Sequence, residues 1–197
     1  MPQSISHSRD LGLNGQFIDL FCEAIYGLEH NLGCSFMQMP PYFDTRRIEL
    51  LEQFLEQFPK ILPLAIEIRH ETWFNNTDHF NRIFDLLEKH HATSVITDVA
   101  GRRDVLHQRL TTDTAMIRFV GNGLVPSDYT RVDAWIQKLK DWHEQGLKTV
   151  YFFTHEPDNI FAPELAAYFV AQAKEHLKTI IRGPKLIPKD GGQMSLF

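Results

Sequence analysis

Cysteine is scarce in this 197-residue chain, which has only Cys22 and Cys34. No Cys-x-x-Cys spacing links them and both lie in apolar surroundings. That excludes a disulfide scaffold or zinc ribbon and predicts buried thiols in a reducing compartment. Positive charge is not in excess, since 20 Lys and Arg face 25 Asp and Glu, for a net charge of −5 and a pI near 6.0. Broad electrostatic binding to nucleic acid or anionic membrane is therefore not expected. No apolar run is long enough to span a bilayer. The opening Met-Pro-Gln-Ser-Ile-Ser-His lacks the cationic and apolar regions of a leader peptide, so the expected location is cytoplasmic. A Gly-rich phosphate turn is also wanting. The first strong strand ends in Pro40-Pro41, and Gly121-Asn122-Gly123 has Pro126 behind it where a nucleotide fold would start its helix at once.

What is present is an alternation of strand and helix. Phe17, Leu20, Phe21, Ala24, Ile25 and Leu28 form a helical stripe over Gln16–Leu28. A strand Cys34–Met39 follows. Asp44 then caps a helix with Ile48, Leu51, Leu55 and Phe58 on its inner face. Next come a strand Leu62–Arg69, a helix capped by Asn76 or Thr77 with Phe80, Ile83, Phe84 and Leu87 inward, and strands Thr93–Asp98 and Ala115–Val120. A helix from about Thr130 buries Val132, Trp135, Ile136 and Leu139, and Gly146 suits its carboxyl end. The strand Thr149–Thr154 precedes a last helix with Pro163 in its first turn. Five strands mostly separated by helices predict a parallel sheet covered by helices. Two architectures fit, a doubly wound sheet or a (β/α) barrel. Polar groups at all five strand ends favour the barrel, whose loops ring one mouth.

The densest chemistry lies in Leu64-Ala-Ile-Glu-Ile-Arg-His-Glu-Thr-Trp-Phe74. Alternation places Glu67 and Arg69 on one strand face, roughly 6.6 Å apart along the backbone. A carboxylate and a guanidinium on an apolar strand either neutralise each other or line a pocket at the strand's carboxyl end.

At these strand ends the chain resembles the YecE-like family, domain of unknown function seventy-two. The matching segments are Ile5-Ser6-His7, Met37-Gln38-Met39-Pro40-Pro41-Tyr42-Phe43, Ile66-Glu67-Ile68-Arg69-His70 with Trp73-Phe74, Ile117-Arg118-Phe119-Val120-Gly121 and Val150-Tyr151-Phe152-Phe153. The resemblance implies a (β/α) TIM-type barrel. Members of the family begin with about three further strand-helix units, so the expectation is an incomplete barrel of about five of eight units. A misassigned start, a split gene or a partner chain supplying the missing strands would each account for it. The expected organisation is a barrel domain over 1–181 and a flexible tail over 182–197.

On the lumen face the barrel would gather Gln38, Glu67, Arg69, Asp98 and Arg118, with His155 and Asn159 beyond the fifth strand and His7 and His70 at loop starts. Arg69 and Arg118, aided by Gln38, Asn159 and His7, are expected to hold a phosphate or carboxylate. Glu67 or Asp98 is the expected general base and His155 or His70 the acid, with no cofactor. The same residues also fit a plain ion-pair network of Glu67 with Arg69 or Arg118. A third reading makes Glu67, Asp98 and His155 ligands of a divalent ion, although no local ligand motif supports it and no metal is expected. The chain ends in Gln193-Met194-Ser195-Leu196-Phe197, similar to the pentapeptide by which bacterial replication and repair proteins dock on the DNA sliding clamp. Gln193, Met194, Leu196 and Phe197 are its expected contacts. The function expected is acid-base or hydrolytic chemistry on a small anionic or nucleotide-like ligand, or else a non-catalytic accessory role at the clamp.

Overall fold

The computed structural model describes residues 1–102 and 104–185. The carboxyl-terminal pentapeptide lies outside them. The elements in chain order are α1 (Gln3–Ser6), α2 (Phe17–Tyr26), β1 (Ser35–Gln38), α3 (Ile48–Gln57), β2 (Leu64–Glu67), α4 (Thr77–Lys89), β3 (Thr93–Val99), β4 (Thr114–Val120), α5 (Pro126–Glu144), β5 (Thr149–His155) and α6 (Ala162–His176). The strands form one sheet in the order β1-β2-β3-β4-β5. A doubly wound sheet reverses its strand order part-way, whereas a (β/α) barrel adds each strand beside the last. The sequential order thus decides between the two architectures. β1 pairs parallel with β2, placing Gln38 opposite Glu67, and β2 pairs parallel with β3. No helix among the described residues is long and apolar enough to cross a membrane.

The chain divides into two compact units, Met1–Arg118 with Leu147–Phe152 and Phe119–Gly146 with Phe153–Phe197. In the first, α3 buries Ile48, Leu51, Phe54 and Leu55, and α4 buries Ile83, Phe84 and Leu87, against Met37 and Ile66 of the sheet. Asp44 accepts from the Arg46 N–H at 3.1 Å and caps a 3-10 turn, Thr45–Arg47, that leads into α3. Asn76 caps α4, accepting from the N–H groups of Asp78 and His79. α2 departs from expectation. Its buried residues are Ile18 and Cys22, while Phe17, Leu20 and Leu28 of the expected inner stripe are exposed. The helix carries apolar side chains on more than one face, so the period of the pattern does not choose which face packs.

In the second unit, α5 begins at Pro126, four residues before the expected Thr130, because proline's fixed φ suits a first helical position. Asp128, fully buried, accepts from the N–H groups of Asn122 at 2.9 Å and Val125 at 3.1 Å and so shapes the turn before the helix. Arg131 lies 4.1 Å over the Phe119 ring. Gly146 has φ +105° at the end of α5, a conformation in which a Cβ is strained. α6 packs on α5, with Tyr168 donating to Asp133 at 2.9 Å.

His107 is an unanticipated buried titratable group of the first unit. It hydrogen-bonds the Val95 carbonyl at 3.0 Å and packs among Phe74, Phe80 and Phe84. Burial pushes its pKa down to about 4. The native imidazole is neutral, so the unfolded chain binds one more proton between pH 4 and the ordinary value near 6.5. Stability is therefore complete above about 6.5 and falls by roughly 1.4 kcal/mol per pH unit as the pH drops toward 4. Denaturant melts from pH 7 to 5 should show this slope and lose it in His107→Phe. An unchanged slope in the variant would remove His107 from the acid response.

Candidate functional site

Strand periodicity stacks the side chains of the first unit in layers. Ala65, Val95 and Met116 form an apolar cluster, with Phe36 packed against it. Two residues further along each of the four strands stand Gln38, Glu67, Thr97 and Arg118, a polar layer at the carboxyl ends. This is the period-2 consequence of four parallel positions sharing one sheet face.

The layer is organised around Glu67, which is 1% exposed. Arg118 Nη1 donates to both of its oxygens, 2.7 Å each. Gln38 Nε2 donates to Oε2 at 2.7 Å and Thr97 Oγ1 to Oε1 at 3.1 Å. A carboxylate offers about four acceptor positions, so these contacts saturate it. A buried charge is tolerable only when paired and hydrogen-bonded in this way. With its lone pairs occupied, Glu67 has no oxygen free to bind a metal or take up a substrate proton. Arg118 is held differently. Its other guanidinium nitrogens have no acceptor among the described residues, its side chain is 21% exposed, and Phe36 lies beneath it at 5.7 Å.

Of the two possible partners for Glu67, the structure selects Arg118, 51 residues away. Arg69 lies past the end of β2, which stops at Glu67 and not at Arg69 as expected, and its guanidinium has no ion pair among the described residues. The half-buried His70 uses Nδ1 to accept from the Thr72 N–H at 3.3 Å, and the Thr72 hydroxyl is 2.9 Å away. That bond assigns the proton of the neutral ring to Nε2. His7 Nδ1 meets the Ser6 hydroxyl at 2.9 Å, and its carbonyl accepts from Tyr42 at 2.9 Å. Trp73 donates to the Phe43 carbonyl at 2.7 Å and stacks on the Phe43 ring, tying the loop after β2 to the loop after β1.

Asp98 is buried, but the expected shared face does not hold. β3 turns Thr97 toward Glu67, and alternation sends its neighbour Asp98 to the opposite side. Thr97 is the member that sequence reading missed. Counting two residues on from Val95 with the correct register would have found it, but an uncharged threonine gives no signal by itself.

His155 ends β5 in the second unit, and Asn159 opens an exposed 3-10 turn, Asn159–Phe161, capped by Asp158. Glu156 is 4% accessible and accepts from the Gly123 N–H at 2.7 Å. A Cβ at Gly121 would collide with its Oε1, so the carboxylate needs glycine there.

Residues 1–190 match the family described as protein of unknown function DUF72. The chain is 28% identical over 214 aligned residues to UPF0759 protein YecE of Escherichia coli O157:H7, across all of this chain and 76% of that protein, and equally to that of strain K12. Its fold is similar to a DUF72 family protein of Enterococcus faecalis, at TM-score 0.64 and 19% identity over 93% of this chain and 75% of that one. A DUF72 family protein of Thermotoga maritima gives 0.62 and 22% over 88% and 70%. The family match over nearly the whole chain and the shared α/β fold lead to one conclusion: the chain belongs to the DUF72 family of proteins of unknown function.

Proposed function

We propose that the polar layer is a binding site for a small anionic ligand, a phosphate ester or nucleotide-like molecule, on which acid-base or hydrolytic chemistry is performed. The observation that carries this reading is the division of labour between Glu67 and Arg118. Glu67 fixes Arg118 through one nitrogen, and the remaining donors form an oriented, half-desolvated fork of the kind that suits oxyanions. Glu67 acts here by positioning Arg118 and not as the base. Arg69, without a carboxylate of its own, supplies a second cation. His70 Nε2, the ring nitrogen that Thr72 does not engage, is left to carry the acid proton in the imidazolium form.

Inorganic phosphate titrated into the protein and followed by calorimetry tests the reading. A dissociation constant of about 1 mM is expected for so small an anion. Arg118→Lys keeps the charge that neutralises Glu67 but loses the fork, and binding should weaken at least tenfold. Equal affinity in the variant would end the proposal.

A second reading rests on sequence alone and leaves the first untouched. Gln193 would hydrogen-bond at the edge of a groove on the DNA sliding clamp, while Met194, Leu196 and Phe197 would fill its apolar pockets. A peptide of these residues should bind purified clamp, and no binding at about 100 μM would remove it.

A further inference from the structure

The layering that builds the polar site also runs the other way. Two residues before Phe36, Ala65, Val95 and Met116 stand Cys34, Pro63, Thr93 and Thr114, and these four line a cavity of about 600 Å³ with Thr112 and Tyr151. It sits at the amino-terminal ends of the strands. Four residues at the strand rise put it roughly 13 Å from the Glu67 layer, with the apolar layer between.

We infer that this cavity is a second binding site, for a compact neutral ligand that presents a ring and a hydroxyl group. Its volume is within the range of small-molecule sites. Its walls combine apolar surface from Pro63, Leu64 and the Tyr151 ring with a run of hydroxyls. Thr93 and Thr112 Oγ1 lie 2.8 Å apart, and Thr112 also donates to the Thr114 carbonyl. The Tyr151 hydroxyl has no hydrogen-bond partner among the described residues. A Cβ at Gly33 would lie 3.2 Å from that hydroxyl, so glycine leaves it room. The lining carries no uncompensated acid. Asp113 at the rim is bonded to Lys148 at 2.8 Å, and burial pushes the Cys34 thiol up to about 11, keeping it neutral. His91, the remaining titratable group of the lining, is exposed to solvent, so a charged ligand carried inward past it would give up water without a buried partner, which is costly in a partly desolvated site. A ring with a hydroxyl packs on the apolar wall and gives the Tyr151 hydroxyl a hydrogen-bond partner beside the threonine run.

Phenol is the probe and benzoate its charged counterpart of similar size. In two-dimensional NMR titration, phenol should bind with a dissociation constant of about 1 mM, in keeping with the efficiency of a seven-atom ligand, and benzoate at least tenfold more weakly. Amide shifts should move at Gly33, Thr93 and Thr112. Tyr151→Phe and Thr93→Val, each close to isosteric, should weaken phenol severalfold while leaving phosphate binding unchanged. Arg118→Lys should leave phenol binding unchanged, so the two sites succeed or fail separately. Equal affinity for phenol and benzoate, no binding of either, shifts confined to other residues, or full affinity in both hydroxyl-free variants would overturn the inference.

Discussion

Glu67→Ala is expected to destabilise the protein by about 3 kcal/mol, because it strips the mostly buried Arg118 of its fully buried anion. Arg118 would keep its charge beside Phe36, while the Gln38 amide and the Thr97 hydroxyl would lose their acceptor. For a chain of this size that is a fall of roughly 10 °C in Tm. Glu67→Gln should recover little of this, since its amide NH2 would face Arg118 or the Gln38 donor. Replacing both partners with apolar residues, Glu67→Leu with Arg118→Met, should restore much of the stability, because the cost lies in the unpaired charge more than in the lost contact. A Glu67→Ala protein melting within about 2 °C of the parent would mean that water already solvates the pair.

Trp73→Ala is expected to cost about 4 kcal/mol, the range for emptying a large buried aromatic site. Trp73 is 1% exposed, stacks with Phe43, and fills the Phe43 carbonyl through its indole N–H. Trp73→Phe separates the two contributions. It keeps most of the packing and should cost about 1–2 kcal/mol, mainly for the unsatisfied carbonyl. If both variants unfold at the same denaturant concentration, packing is not what Trp73 supplies. The loops it ties follow β1 and β2, which carry Gln38 and Glu67, so Trp73→Ala should also weaken phosphate binding even at temperatures where the protein remains folded.

Much of this was legible in the chain. The inner faces of α3 and α5, the caps Asp44 and Asn76, and the five strands follow from local rules that act over a few residues. Glu67 stood out because a carboxylate in an apolar strand demands a partner. Which partner was not legible. Arg69 is nearer in sequence, yet the strand ends at Glu67, and Arg118 reaches it from the other side of β3. Thr97 was overlooked in favour of Asp98 for the same reason, since charge is visible in a sequence and register is not. α2 shows the limit for helices, where an apolar period marked a packed face and tertiary contacts buried another.

By itself, then, the sequence determined the strand-helix alternation, the family, and the residue types from which a polar site is built, because periodicity and caps are local properties. Only the tertiary structure decided that Gln38, Glu67, Thr97 and Arg118 form one layer, that Arg118 keeps donors to spare, and that a cavity lined by threonines and Tyr151 lies beyond the apolar layer. Those outcomes depend on strand register and burial. A one-residue shift in pairing would turn each of these side chains to the other face of the sheet.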